Sequence, residues 1–233
     1  MILSIHQPSY FPWLGLLQKI AKSDVFILLD EVQLTDSAFQ HRNLFLTNDG
    51  KTKFLTIPFV RKNYLDHPFS KLEIANQGWQ KSHLNFIANN YKKHPYFSEI
   101  FPLLEEFYGR DYRYLLDAVI ASMLLIFDFF NIDTKILHQS QLNYDMSKKK
   151  GDLVMNLIKC VGADIYLSGV GAQMYLDQNA FGNSVLLEYD QFNHPFYSQY
   201  NALQFIPGLS SLDILFNLGR LQSREILFSR GTK

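Results

Sequence analysis

Ile5-His6-Gln7-Pro8-Ser9-Tyr10-Phe11-Pro12-Trp13-Leu14-Gly15 is the stretch of sequence that decides the fold. It follows directly on a short apolar run at 1–5, which has the composition of a buried strand. Pro8 and Pro12 exclude a helix through the middle of the stretch, because proline lacks a backbone N–H and restricts the residue before it. The stretch therefore predicts a strand that ends in a rigid polar turn.

Two further elements follow this turn. Residues 14–21 have the pattern of a short helix, and residues 24–30 form a second strand-like apolar run. Strand, turn, helix and strand together make the βαβ unit of a parallel sheet. Because ligands of such sheets bind beyond the carboxyl ends of the strands, we expect His6, Gln7 and Asp30 at the binding edge.

The rest of the chain predicts a hairpin, a helical region and a second run of alternating strands and helices. Asn48-Asp49-Gly50 is a turn signal between two strand-like runs. The helical patterns lie at 80–93, 97–108 (with Pro102 near its start) and 111–130. Later strands are expected at 134–137, 164–168 and 184–189, with helices at 151–160 and 211–218. The tail after Gly219 is expected to be a weak helix or frayed.

These patterns predict an α/β fold with a largely parallel sheet and flanking helices. We expect residues 1–233 to form a single domain, with residues 77–131 as a helical insert between two halves of the sheet. The apolar faces of the insert need the sheet as a partner, because a segment of that length alone makes a marginal core.

Composition excludes several classes of protein. The chain has 233 residues, of which 47% are hydrophobic, and its 22 basic and 22 acidic residues give a formal net charge of zero. Nothing global therefore indicates binding to nucleic acid or an anionic membrane. The single cysteine, Cys160, is expected to be a small buried side chain. One cysteine cannot form an internal disulfide, and no signal peptide is expected, so the sequence suits a reducing cytoplasm. The apolar run at 115–130 is too short for a comfortable membrane span and is predicted to be a buried helix.

Polar residues at two strand ends are the first candidates for chemistry. His6 can bind phosphate or act as a general acid or base, because its pKa lies near neutrality. Alternatively, His6 and Gln7 only satisfy backbone groups in a tight turn. Ser168 and Gly169 open a glycine-containing turn between a strand and a helix, where backbone N–H groups can hold an anion. The alternative for this turn is a purely structural connection.

Two loop regions supply the other candidates. His194 precedes a proline and is held extended, so that it can project from its loop. Tyr197 and Gln199 can hydrogen-bond a sugar or a base, although the loop can also be an aromatic segment packed on the core. In the loop after the second strand, Asp30 can bind a ribose or sugar hydroxyl or a divalent metal, and Arg42 can clamp a phosphate or carboxylate, unless the two form a structural salt bridge. Gln33 and Asn43 are placed in the same group. No Cys/His spacing indicates a zinc site, and no Gly-x-Ser-x-Gly elbow indicates a serine hydrolase.

The quoted stretch also resembles the opening signature of the WbqC-like protein family. The matching residues are His6-Gln7-Pro8, Tyr10 to Gly15, Lys19-Ile20, Asp24-Val25-Phe26, Asp30 to Gln33, Arg42-Asn43, Tyr166 to Gly169, His194-Pro195 and Leu209 to Asp213. The resemblance spans nearly the whole chain and its opening motif is specific. It implies a bacterial protein from surface-polysaccharide (O-antigen) gene clusters, which gives a context rather than a reaction.

The strand–turn–helix pattern is also similar to that of the nucleotidylyltransferase superfamily. Members of that superfamily carry two histidines three residues apart in the first turn. Here Ser9 stands three residues after His6, so the second histidine is missing. The departure argues against adenylyl transfer.

Two classes of function remain open. The first is a group-transfer enzyme, a transferase or ligase acting on a nucleotide-linked sugar by acyl or aminoacyl transfer or by another modification of the sugar. The second is a non-catalytic binding or scaffold protein of the same pathway. The partner expected is a small molecule such as a nucleotide sugar, with no nucleic acid and no membrane span. A homo-oligomer is left open, and the sequence does not name a cofactor. The expected site has His6 and His194 as catalytic groups and a set of substrate-binding residues: Gln7, Tyr10, Asp30, Gln33, Arg42, Asn43, Ser168, Gly169, Tyr197 and Gln199.

Overall fold

The computed structural model describes residues 1–35, 39–76, 78–174, 176, 178–182 and 184–228. Its contacts divide the chain into two compact units. The sheet unit consists of Met1–Gln7, Gly15–Val32 and Ile132–Asn193. The helical unit consists of Pro8–Leu14, Gln33–Asn131 and His194–Lys233. The stretch that decides the fold therefore contributes Ile5 to Gln7 and Gly15 to the sheet unit and Pro8–Leu14 to the helical unit.

Strands and helices follow one another along the chain in mixed order. The strands are β1 (Ile2–His6), β2 (Val25–Leu28), β3 (Arg42–Leu46), β4 (Thr52–Thr56), β5 (Lys135–His138), β6 (Ile165–Gly169) and β7 (Leu186–Asp190). The helices are α1 (Leu14–Ala21), α2 (Trp79–Tyr91), α3 (Phe97–Tyr108), α4 (Leu115–Phe130), α5 (Lys150–Val161), α6 (Gln178–Phe181) and α7 (Leu212–Phe228).

The sheet unit is built on a parallel sheet of five strands in the order β5-β2-β1-β6-β7. Leu3 and Ile5 of β1 belong to a buried cluster that also contains Leu157 and Ile158 of α5. Because side chains alternate along a strand, Ser4 and His6 point to the opposite face of the sheet. All five strands run in the same direction, so their carboxyl ends meet at one edge, which is where β1 presents His6.

The helical unit combines the antiparallel hairpin β3–β4 with α2, α3, α4 and α7. Gly50 lies in the hairpin turn with a backbone φ of 78°, a conformation that favours glycine. Helices α3 and α4 both pack against α7. Apolar side chains such as Ile100, Leu104, Ile126 and Phe216 are fully buried in this unit, which therefore has a core of its own.

Helix α7 is interrupted at Gly219, whose φ of 72° and ψ of 175° are not helical. A Cβ atom at this position would lie 2.6 Å from the ring of Tyr96. The close approach of the ring and the positive φ both require glycine. Beyond the break the helix continues to Phe228, with Leu227 buried. At the start of the helix, the hydroxyl of Ser210 accepts a hydrogen bond from the N–H of Leu212, as expected of an N-cap.

The predicted α/β fold with a parallel sheet and flanking helices is confirmed. The tail after Gly219, expected to be a weak helix or frayed, is helical as far as Phe228. Two local expectations are wrong. Pro102 lies in the second turn of α3 rather than at or near its start. Cys160 is exposed, because only one side of α5 is covered. In the described part of the chain, no helix has the length and apolarity needed to cross a membrane.

Candidate functional site

The carboxyl edge of the parallel sheet carries two histidines in one row. His6 of β1 is paired in register with Leu28 of β2, and Leu28 is paired with His138 of β5. Residues in register on parallel strands point to the same face of the sheet. Two strand spacings place the Cα atoms of His6 and His138 about 10 Å apart. A small substrate can therefore contact both imidazoles.

The imidazole of His6 is neutral and has one nitrogen available. Its Nδ1 lies 2.8 Å from the carbonyl oxygen of Gln7 and donates a hydrogen bond to it. This bond leaves the proton on Nδ1 and the lone pair on Nε2. The residue is exposed to solvent, yet desolvation by the surrounding protein and the charge of Lys19 lower the pKa of His6 to about 4. At pH 7, Nε2 is therefore a proton acceptor.

His138 is held by a buried carboxylate. Asp30 is only 2% exposed, and its Oδ2 lies 3.3 Å from Nδ1 of His138. The same carboxylate accepts bonds from the backbone N–H of Ser140 at 2.9 Å and from its hydroxyl at 2.6 Å. An aspartate that accepts from Nδ1 fixes the tautomer and the orientation of an imidazole and leaves Nε2 free to act. The hydroxyl of Ser140 is committed to Asp30 and is not aimed as a nucleophile.

Lys19 of α1 lies close enough to His6 for its charge to act on that imidazole. The ammonium of Lys19 is buried and donates to the carbonyl oxygen of Ile5 at 3.3 Å. Burial lowers the pKa of Lys19 to about 8, while the charge of Asp190 opposes the shift. Lys22 forms a 2.6 Å ion pair with Asp190 at the end of β7. Because Asp190 compensates the charge of Lys22, the positive charge that can attract a negatively charged substrate here is that of Lys19.

The predicted turn after β6 belongs to the same edge. In the register of β1 and β6, Ser4 is paired with Leu167. Extending this register by two residues places Gly169 beside His6. Gly169 is also paired with Asp190 of β7. Ser168 is buried, and its hydroxyl donates a long 3.4 Å bond to the carbonyl of Gly169. Among the sequence-predicted residues, the sheet unit therefore brings together His6, Gln7, Asp30, Ser168 and Gly169.

Tyr10 and Asn43 lie in the helical unit with their side chains buried. The hydroxyl of Tyr10 is 2.9 Å from Nδ1 of His83 and 2.5 Å from the hydroxyl of Tyr108. The amide of Asn43 donates to the carbonyls of Tyr10 at 3.1 Å and Phe11 at 2.6 Å. Since Phe11 has a positive φ of 40°, this amide holds the quoted stretch in an unusual backbone conformation.

Arg42 and Gln33 are more accessible members of the helical unit. The guanidinium of Arg42 lies over the ring of Phe54, 4.5 Å from its centre. The side chain of Gln33 donates to the carbonyl of Leu65 at 2.5 Å. Both contacts are internal to the unit, and the predicted contact of these two side chains with a substrate stays a prediction.

The loop that begins at His194 packs on the start of α7. Nε2 of His194 accepts from the N–H of Gly208 at 3.2 Å, and Nδ1 lies 3.0 Å from the carbonyl of Pro195. Partial burial lowers the pKa of His194. Tyr197 and Gln199 are buried and donate to the carboxylate of Asp213 at 2.9 Å and 3.3 Å. The three residues are thus engaged in bonds within their own unit.

Comparison with known proteins places the chain in a family. The family model described as the WbqC-like protein family matches residues 7–225. The chain belongs to the WbqC-like protein family. This WbqC-like protein is also similar to the uncharacterized protein Rv1507c of Mycobacterium tuberculosis (strain ATCC 25618 / H37Rv), with 28% identity over 220 residues, 93% of this chain and 94% of that protein. No solved structure matches the chain.

Sequence reasoning about this WbqC-like protein missed His138, Ser140, Lys19 and Asp190. His138 directly follows the run 134–137 that was predicted to be a strand, so the rule that singled out His6 also applies to it. Lys19 had a weaker signal, a single charge on the apolar side of a short helix. Within the described residues, no group of three His, Cys, Asp or Glu side chains is placed to hold a metal ion.

Proposed function

We propose that this WbqC-like protein is a group-transfer enzyme that acts on a small, negatively charged substrate at the carboxyl edge of its parallel sheet. The observation that carries the proposal is the row in which an accessible, neutral His6 shares a face with the carboxylate-held His138. The reaction is acyl or aminoacyl transfer to a sugar, or a related modification of a nucleotide-linked sugar. The resemblance of the chain to proteins of surface-polysaccharide gene clusters supports this choice of substrate.

The residues of the row divide the chemistry between them. Nε2 of His6 accepts the proton of the attacking amine or hydroxyl of the sugar, since the ring is neutral at pH 7. His138, oriented by Asp30, donates a proton to the leaving group as the bond between that group and the transferred acyl carbon breaks, and both imidazoles regain their starting protonation by exchange with solvent. The charge of Lys19 favours the phosphates of a nucleotide-linked substrate. The exposed thiol of Cys160 suits a reducing compartment, and we place the reaction in the cytoplasm.

Binding is tested by thermal shift of the purified protein with a panel of nucleotides and nucleotide sugars. A ligand at about 100 times its Kd stabilises the folded state by about 2.7 kcal/mol. That stabilisation raises Tm by about 5–10 °C for a chain of this size. If no compound in the panel shifts Tm at millimolar concentration, the proposal fails.

Substitution of His6 separates a functional from a structural role. His6→Ala removes one hydrogen bond to the Gln7 carbonyl and costs about 1 kcal/mol of stability. If His6 is the base, the same variant loses about a hundredfold or more in rate. The matched control is His67→Ala, because His67 is an exposed histidine of the helical unit. His67→Ala keeps the ligand shift and the activity.

Combined variants test whether the histidines act together. If His6 and His138 act as one unit, the double variant is no worse than the more damaging single one. Simple addition of two small effects contradicts a shared role. His194→Ala, examined in the same way, tests the proposed contribution of that residue.

A non-catalytic binding or scaffold role is the second candidate, and one observation favours it. Phe196 is 78% exposed and Leu203 is fully exposed in the loop that leads to α7. Exposed apolar side chains of this size often mark protein contacts. This role predicts that no nucleotide sugar shifts Tm. It also predicts that the protein self-associates in sedimentation experiments. The double variant Phe196→Ser with Leu203→Ser is expected to self-associate less.

A further inference from the structure

A polar recess lies in the helical unit, separate from the residues of the proposed reaction. It is lined by Asn48 in the β3–β4 turn, Asn89, Asn90, Lys92 and Lys93 at the end of α2, and Tyr200, and is called here the asparagine–lysine recess. Its volume is about 670 Å³. Sites for small ligands have about 300–1,000 Å³, so the recess has room for a mono- or disaccharide.

The walls of the recess are held by internal hydrogen bonds. Asn90 accepts from the N–H of Asn48 at 2.8 Å and donates to the carbonyl of Phe86 at 2.7 Å. The side chain of Asn201 donates to the carbonyl of Asn90 at 3.2 Å. A Cβ atom on Gly50 would lie 2.9 Å from the carbonyl oxygen of Asn201, so this turn approaches closely. The recess is therefore a built part of the fold and not a gap between loose side chains.

The functional groups that face solvent differ from those that build the walls. The side-chain amides of Asn48 and Asn89 form no hydrogen bond with any residue that the structure describes, and both residues are exposed. An amide both donates and accepts, so it matches a hydroxyl group in either role. Two such amides on one surface suit a ligand with several hydroxyls.

The charge of the recess is positive and uncompensated. Lys92 and Lys93 are exposed, and neither forms an ion pair within the described part of the chain. The nearby Lys51 differs from them, because it is paired with Asp49 at 2.9 Å. Lysines at a helix C-terminus also favour the helix dipole. That effect does not explain why unpaired amides face the same space as the two ammonium groups.

Tyr200 adds a rigid aromatic face. Its ring is half exposed and lies 5.1 Å from the ring of buried His94, which in turn lies 4.7 Å from the ring of Tyr91. The N–H of Tyr200 donates to the side chain of Asn217 at 2.9 Å. An immobilised aromatic ring offers an apolar surface for the C–H face of a sugar ring.

We propose that the asparagine–lysine recess binds an anionic saccharide, meaning a mono- or disaccharide that carries a carboxylate or a phosphate. The amides recognise its hydroxyl groups, the ring of Tyr200 packs on its C–H face, and Lys92 and Lys93 pair with the anionic group. The site belongs to the helical unit, so its occupancy does not depend on the reaction proposed for the sheet unit.

The test is saturation-transfer NMR on the full-length protein with five probes: glucuronate, glucose 6-phosphate, glucose, inorganic phosphate and AMP. Glucuronate or glucose 6-phosphate is expected to bind more tightly than glucose, and the preferred one of the two identifies the anionic group. Saturation is expected on the ring protons of the sugar, where Tyr200 packs. Inorganic phosphate has no C–H proton, so its binding is followed by competition against the signal of glucose 6-phosphate. Phosphate that displaces glucose 6-phosphate at an equal concentration overturns the proposal, because it shows that only charge is recognised. AMP as the tightest ligand, or no binding at about 10 mM of any sugar, also overturns it.

Variants locate the binding to the recess. Lys92→Gln with Lys93→Gln is expected to weaken binding of the anionic saccharide about tenfold, through loss of two charge-assisted contacts. The matched control is Lys81→Gln, which removes the same charge from an exposed position on the same helix and leaves affinity unchanged. Tyr200→Ala weakens binding and Tyr200→Phe retains it. Equal loss in the Lys81 control and the double variant refutes the assignment. Unchanged Tm in each variant shows that the fold is intact.

Discussion

The carboxyl group of Asp213 makes the stability of the protein depend on pH. Its side chain is fully buried and no cation pairs with it among the described residues. Donors from Tyr197, Gln199 and Tyr91 all favour the ionised form, but only the 2.9 Å bond from Tyr197 is short. Burial outweighs them and raises the pKa of Asp213 from 3.8 to about 6.

The raised pKa of Asp213 determines whether stability rises or falls with pH. A carboxyl whose pKa is raised in the folded state contributes stability that is fully present below pH 3.8 and is lost as pH rises through about 6. A shift of that size corresponds to about 3 kcal/mol of unfolding free energy. A protein of ordinary stability has about 5–15 kcal/mol in total, so the change is large enough to measure.

The assay compares urea unfolding of the wild type and Asp213→Asn between pH 4 and pH 7.5. Asparagine keeps the shape and one acceptor oxygen but does not titrate in this range. The other titrating groups contribute equally to both proteins, so their contributions cancel when the two unfolding free energies are subtracted. We expect the wild type to lose about 2.5 kcal/mol relative to the variant as pH rises across this range, because the remainder is lost below pH 4. A difference that stays constant with pH refutes the reasoning, because Asp213 then titrates as it does in the unfolded chain.

Three further predictions follow from single contacts. Gly219→Ala costs about 2 kcal/mol in urea unfolding, through positive φ and overlap with the Tyr96 ring; an unchanged midpoint contradicts this. Asp30→Asn alters the tautomer balance of His138, which nitrogen NMR measures, and weakens any activity as much as His138→Ala does. The control is Asp66→Asn at an exposed position, which leaves both unchanged. A fragment of residues 77–131 shows little helix by circular dichroism, because its helices lose their contacts with α7; a cooperative melt of the fragment refutes this prediction.

Local patterns were sufficient to predict most elements of the fold. The strand, turn and helix around His6 follow from an apolar run, two prolines and a short amphipathic segment. Other features depend on partners distant in sequence. Helix α7 resumes after Gly219 because Leu227 is buried in the helical unit, which no local rule shows. Cys160 lies about 200° around α5 from the buried Ile158, and its exposure depends on how much of that helix is covered.

Only part of the candidate site could be predicted, because the sequence shows where strands end but not which strand ends are neighbours. His6, Asp30 and Gly169 were found because each ends or follows a strand of the sheet. The bonds from Ser140 and His138 to Asp30 join residues more than one hundred positions apart in the chain. Strand order decides which strand ends are neighbours, and the sequence alone left that order open. The placement of β5 beside β2 is the fact that brings His138 to Asp30.

The histidines of this protein separate into two groups by what their nitrogens do. His83 and His94 are buried among aromatic rings, and desolvation lowers the pKa of each to about 4, so they remain neutral parts of the core. His6 has a similarly lowered pKa, but it is an exposed residue at the end of a strand. The pKa alone therefore does not distinguish a structural from a chemical histidine. Access to solvent at a strand end does, because only an accessible nitrogen can exchange a proton with a substrate. This criterion selects His6, and with it the neighbouring His138, as the residues on which the proposed transfer depends.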